Sequence, residues 1–119
     1  MSYDIRFGVK VAGAGDDVYA VIGRPERDSP TYNLRDMFIA CMDWGYHQGE
    51  WYPMKEVIPK VEHGVHELSF NAKEYRKYEP DNGWGTLSGA RDVLQSILEW
   101  FNDMGWNSDI PIDCIYMRW

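Results

Sequence analysis

The stretch from Asn33 to Leu68 constrains the fold most. Apolar residues at helical spacing run into and out of an aromatic turn, Asp43-Trp44-Gly45-Tyr46-His47-Gln48-Gly49-Glu50-Trp51-Tyr52-Pro53. Leu34, Met37, Phe38, Cys41 and Met42 recur every three or four residues, which builds one apolar helix face. Asn33 is the expected N-cap, Asp36 lies where its charge favours the helix start, and the helix is expected to end near Gly45. Beyond the turn, Pro53 fits the first turn of a second helix whose Met54, Val57, Ile58, Val61, Val65 and Leu68 share a face. Pro59 interrupts that pattern, so the helix either kinks there or restarts. The turn between the two carries more aromatic surface than a linker needs.

The ends of the chain have a different period. Tyr3, Ile5, Phe7, Val9 and Val11 alternate with Asp4, Arg6, Gly8 and Lys10, the pattern of a half-buried antiparallel strand. Gly13-Ala14-Gly15-Asp16-Asp17 supplies turn formers before a second apolar run from Val18 to Ile22, so a β-hairpin is expected. Gly13 to Gly15 is not read as a phosphate loop, because a dinucleotide fingerprint needs more glycines and a helix after them. Gly23 to Pro30 is a charged loop in which Arg24 and Arg27 form a local positive pair, able to meet a carboxylate or phosphate or to stay solvated.

Asn71 with Glu74 three residues on resembles a capping box and predicts a short helix to about Tyr78. Breakers then gather around a tryptophan from Glu79 to Gly85. Thr86 caps the longest helix, with Leu87, Ala90, Leu94, Ile97, Leu98, Phe101 and Met104 on one stripe, Val93 and Trp100 widening it, and Gly105 expected to stop it. From Ile110 to Trp119 the tail alternates as a strand. Residues 1–119 thus read as a single α+β domain, an N-terminal β-hairpin plus a C-terminal strand forming a small, three-stranded sheet packed by three or four helices. Its free edge offers pairing to a partner or to another copy, so a homo-oligomer is possible.

Charge narrows the function classes. With 12 basic against 19 acidic side chains the formal charge is -7, which argues against duplex nucleic acid, since phosphate contacts need Lys and Arg clusters. No run approaches a membrane span and no charged leader with an apolar stretch opens the sequence, so a cytoplasmic protein without membrane contact is expected. Cys41 and Cys114 are read as free thiols rather than a disulfide.

Chemistry-bearing groups are few. His63 and His66 share a helix face, but their spacing is not that of a zinc-peptidase helix, and neither metal nor cofactor is expected. Cys41 belongs to an apolar stripe that keeps a thiol inert unless His47 folds back on it, and Ser69, Ser88, Ser96 and Ser108 show no nucleophile elbow. No catalytic residue is assigned. The more promising arrangement is Asn82-Gly83-Trp84-Gly85-Thr86, where glycines before a helix N-terminus let backbone N–H groups approach an anion beside a flat indole. If Trp44, Tyr46, Trp51 and Tyr52 pack nearby, the two turns form an aromatic pocket for a nucleotide-like ligand. Otherwise Trp84 is a plug and Thr86 merely a cap.

At Asn33-Leu34 through Cys41-Met42-Asp43-Trp44, at Val61-Glu62-His63-Gly64, at Asn82-Gly83-Trp84-Gly85-Thr86 and at Ile110-Pro111-Ile112-Asp113-Cys114-Ile115-Tyr116-Met117-Arg118-Trp119, the chain resembles small proteins encoded by phages and mobile elements of gut Firmicutes. The resemblance implies a setting: small acidic proteins of such elements often act by binding, including inhibition of host defences. The expected function is therefore a non-enzymatic binding protein, a counter-defence factor that blocks a host protein or sequesters a nucleotide signal. Two alternatives remain open, a small enzyme using histidine and carboxylate groups and a structural or assembly protein.

Overall fold

A computed structural model of the chain describes residues 2–13, 15, 18–107 and 109–119. The expected turn residues Ala14, Asp16 and Asp17, and Ser108, lie outside them. The alternating N-terminal run becomes strand β1 (Arg6–Lys10), which pairs antiparallel with β2 (Tyr19–Gly23) through a turn containing Gly13 and Gly15, both at positive φ. The C-terminal run becomes β4 (Ile115–Arg118), antiparallel to the other side of β1. The α+β architecture is as the sequence indicates.

The sheet is larger than expected. Among the described residues it has four strands in the order β2-β1-β4-β3, the addition being β3 (Trp51–Pro53), drawn from the end of the aromatic turn. Pro53 therefore closes a strand and N-caps helix α2 (Met54–Phe70) instead of standing inside its first turn. Helix α2 runs through Pro59 without a restart. Pro59 lies one turn from the N-terminus, where it costs a single backbone bond to Lys55.

Helix α1 (Arg35–Met42) is capped otherwise than expected. Thr31, not Asn33, is the capping side chain: its hydroxyl accepts the Asn33 N–H (3.3 Å) and opens a 3-10 turn over Tyr32–Leu34 that leads into α1. The helix ends before Gly45, because Asp43 adopts the left-handed conformation (φ 50°) and returns its N–H to Ala40 C=O (3.3 Å) while Trp44 N–H reaches Ile39 C=O (3.2 Å). Aspartate tolerates that region better than most residues. Helix α3 is short (Ala72–Tyr75), and Asn71 turns its amide to Glu67 Oε2 (2.7 Å) rather than capping it. Helix α4 (Leu87–Asn107) continues through Gly105, and β4 begins only after a 3-10 turn at Ile112–Cys114.

The helices cover one sheet face, where Phe7, Ile115 and Met117 join Met37, Phe38, Val57, Val61, Leu94 and Ile97 in the core. A Cβ on Gly64 would stand 2.7 Å from Leu94 Cδ1 and 2.9 Å from Met42 Cγ, so that glycine is what lets α1, α2 and α4 approach. Each sheet face also holds a tryptophan laid across a glycine. On the covered face Trp100 stacks on Phe7 (3.8 Å, 10°) and fills the space where Gly23 would carry a side chain; on the open face Trp51 does the same over Gly8.

Candidate functional site

The turn before α4 presents an indole to solvent. Trp84 is 71 % exposed, yet its backbone is held on both sides: its N–H donates to Asn82 Oδ1 (2.9 Å) and its carbonyl accepts from Asn33 Nδ2 (3.3 Å). Gly83 and Gly85 supply the positive φ values (77° and 113°) that a turn this tight requires. A cavity of about 580 Å³ beside the ring is lined by Ser2, Ser29, Thr31 and Asn33. None of these side chains, nor the Trp84 ring that completes the lining, carries a charge.

Thr86 caps α4 as the sequence indicates, its Oγ1 accepting the Gly89 N–H (3.0 Å). The anion expected at that terminus is supplied by the protein itself. Glu79 places Oε2 2.9 Å from the Leu87 N–H and is also approached by Arg76 (3.5 Å), so the positive end of the helix already faces a carboxylate. A phosphate there would have to displace Glu79. The spacing of Glu79 and Leu87 across a glycine-rich turn follows no capping pattern, which is why the residues alone do not reveal the contact.

The first aromatic turn has a different fate. Tyr46 is 2 % exposed, donates its hydroxyl to Tyr3 Oη (2.9 Å) and stacks on Trp119 (5.0 Å, 24°). Burial, with the Tyr3 hydroxyl next in importance, raises its pKa. Trp44 is half-buried, edge-on to Tyr52 (4.9 Å). The Tyr52 hydroxyl accepts the His47 N–H (2.7 Å) and donates to Glu50 Oε2 (3.3 Å), fixing the loop. Trp51 lies on the open face of the sheet, stacked on Tyr19 (4.8 Å, 18°) with the Arg118 guanidinium 5.1 Å from its ring centre. The sequence does not single out Tyr19 or Arg118, although their strand registers place both on that face.

The two turns do not combine. Among the described residues no ring contact joins Trp84 to Trp44, Tyr46, Trp51 or Tyr52, and the cavity beside Trp84 is bounded by none of those four. In place of the shared aromatic pocket that the sequence allowed, the first turn seals Tyr46 into the core while its Trp51 borders an open-face cavity of about 430 Å³ with Tyr19, Gly49 and Glu50, and the second turn projects a ring. Physically, Tyr46 finds partners brought from both ends of the chain, whereas Trp84 is flanked by glycines and breakers.

The groups a small enzyme would use divide between two places: His63 and His66 both act on Glu67, whose carboxyl is held below its ordinary range first by the Asn71 amide, while His47 lies in the aromatic turn. His47, His63 and His66 are all exposed; His63 faces Glu67 (3.8 Å) and His66 rests against Phe70 (4.9 Å). Cys41 is buried and its thiol is pushed up to about 12, chiefly by that burial, while Cys114 is exposed, both being free. Among the described residues no group of three or more His, Cys, Asp or Glu side chains is placed to hold a metal ion. Arg24 of the charged loop pairs with Asp28 (3.6 Å), which also holds Arg6 (2.9 Å). Arg27 lines a groove of about 410 Å³ between that loop and the first turns of α4.

No family model matches this chain. Neither a curated protein nor a solved structure matches it either. No helix among the described residues is long and apolar enough to cross a membrane.

Proposed function

We propose that the protein is a non-enzymatic binding protein of a phage or mobile element, a counter-defence factor that blocks a host protein by seating Trp84 in a pocket of that partner. The observation that carries this reading is a tryptophan 71 % exposed on a backbone tied down from two directions. Rigid, exposed indoles bury much apolar area with little ordering cost, and tryptophan is enriched among residues that dominate interface energies. The biological setting rests on the resemblance of the motifs described above.

Between blocking a protein and sequestering a nucleotide, the first has the better support. The cavity beside Trp84 is lined by hydroxyl and amide side chains, and the neighbouring helix terminus is taken by Glu79, so a phosphate would meet little positive charge. The test is affinity capture from the natural host with wild-type and Trp84→Ala protein, followed by titration of the captured partner. Trp84→Ala is expected to weaken binding at least about thirtyfold, the size of a hot-spot loss. Undiminished capture by that variant would remove the reading. In parallel, cyclic and ADP-ribose-type nucleotides are expected to leave the melting temperature unchanged; a shift seen in wild type and lost in Trp84→Ala would move the function to nucleotide sequestration.

A further inference from the structure

The two edges of the sheet are unequally protected. Strand β3 is three residues long, and Pro53 has no N–H to offer a newcomer. Strand β2, Tyr19-Ala20-Val21-Ile22-Gly23, is uncharged and has a neighbour only on its β1 side among the described residues. Its apolar side chains are uncovered: Val18, just before it, is 43 % exposed and Val21 56 %.

The ladder fixes which backbone groups are on offer. Val11 donates its N–H to Val18 C=O (2.9 Å), and Val9 stands opposite Ala20, so Val18 and Ala20 turn their polar groups toward β1. By alternation, the N–H and C=O of Tyr19 and Val21 point out of the sheet. That pair is self-complementary about Ala20.

We propose that β2 pairs with β2 of a second copy of this chain, antiparallel across a twofold axis at Ala20, joining two four-stranded sheets into one of eight strands. Tyr19 of one copy exchanges both backbone bonds with Val21 of the other, and the reverse pair repeats this, giving four N–H···O bonds. Ala20 then meets Ala20 in the non-hydrogen-bonded position, where opposed Cα atoms come closest and a small side chain fits. On the open face, exposed Val21 packs beside the other copy's Tyr19, whose ring is already stacked on Trp51. The register shift between Phe7 and Gly8 breaks the regular ladder just past Val21, which keeps the interface short. Assembly also closes at two, since pairing consumes both β2 edges and leaves only the proline-bearing ones.

A second copy suits this edge because the small Ala20 falls on the axis, where opposed Cα atoms come closest, and each exposed Val21 falls opposite a Tyr19 on the open face. An interface this small between chains of charge -7 associates weakly and is strengthened by salt. The proposal is independent of the Trp84 reading.

Sedimentation of the whole protein from low to high micromolar concentration is expected to show a monomer–dimer equilibrium that shifts toward dimer as ionic strength rises. Val21→Lys, at an exposed side chain, is expected to weaken it at least tenfold with circular dichroism unchanged. Hydrogen exchange on wild type gives a reading independent of the variant: protection of the Tyr19 and Val21 amides should rise with protein concentration. A wild type that stays monomeric across the range, a Val21→Lys protein that dimerises as well as wild type, or amides indifferent to concentration would each overturn the proposal. So would dimerisation that protects other amides instead.

Discussion

Two turns of similar composition, residues 43–53 and 82–86, end in opposite places. In the first, Tyr46 is sealed against Tyr3 and Trp119, and Trp51 lies flat on Gly8; in the second, Trp84 stands in solvent on a braced backbone. What separates them is the company the rest of the chain provides. The first turn lies where both ends of the sequence converge, while the second spans the gap between α3 and α4, with Gly85 packed on Leu34 and the Trp84 ring left beside Ser2, Ser29, Thr31 and Asn33. An aromatic turn is therefore a stability element or a recognition element according to which distant residues reach it.

Mutation can sharpen that contrast. The largest effect is expected for Tyr46→Ala, which removes a buried ring and its hydroxyl bond and should lower unfolding free energy by about 3–5 kcal/mol in urea titrations. A loss below 1 kcal/mol would mean that the turn does not close the core. Next comes Gly8→Ala, whose Cβ would stand 2.7 Å from Trp51 Cη2. Lifting that ring should cost about 1–3 kcal/mol, and most of the penalty should go in a Trp51→Ala background, a coupling that a double-mutant cycle reads directly. The remainder comes from the Ala20 carbonyl, 3.0 Å from the same Cβ.

A smaller effect follows from pH. Unfolded Cys41 loses its proton near 9.0, whereas the folded thiol holds it to about 12. Between those values the unfolded state carries fewer protons, so stability should fall as pH rises from about 9, with Tyr46 and Tyr3, both raised in pKa chiefly by burial, adding to the decline. Cys41→Ala should flatten the part of the slope due to the thiol. At the other end of the scale, Trp84→Ala should change unfolding free energy by less than about 0.5 kcal/mol. A larger loss would place Trp84 among the structural rings and erase the distinction between the turns.

Long periodic runs made much of this architecture legible. The alternation from Tyr3 to Val11 and the stripe from Leu87 to Met104 each repeat often enough to name their element, and both are found. Strand β3 was hidden because three residues cannot display a period, and because Pro53 is equally at home opening a helix. Thr31 displaced Asn33 as the cap, leaving the Asn33 amide to hold Trp84, a contact across 51 positions that no local pattern encodes. The binding candidates divided for the same reason. Composition marks Trp44, Tyr46, Trp51, Tyr52 and Trp84 alike, and only the arrival of Tyr3, Tyr19 and Trp119 tells them apart.

The strand order carries a consequence for biosynthesis. Strand β4 separates β1 from β3, so a nascent chain can zip its first hairpin early, yet Trp51–Pro53 has no strand to join until everything through α4 has been translated. During that interval the aromatic turn has its N-terminal partners Tyr3 and Tyr19 but lacks Trp119 and Arg118. The ring surface those two residues cover is then exposed to aggregation or to a chaperone, and the emergence of Ile115–Arg118 is the event that ends the hazard.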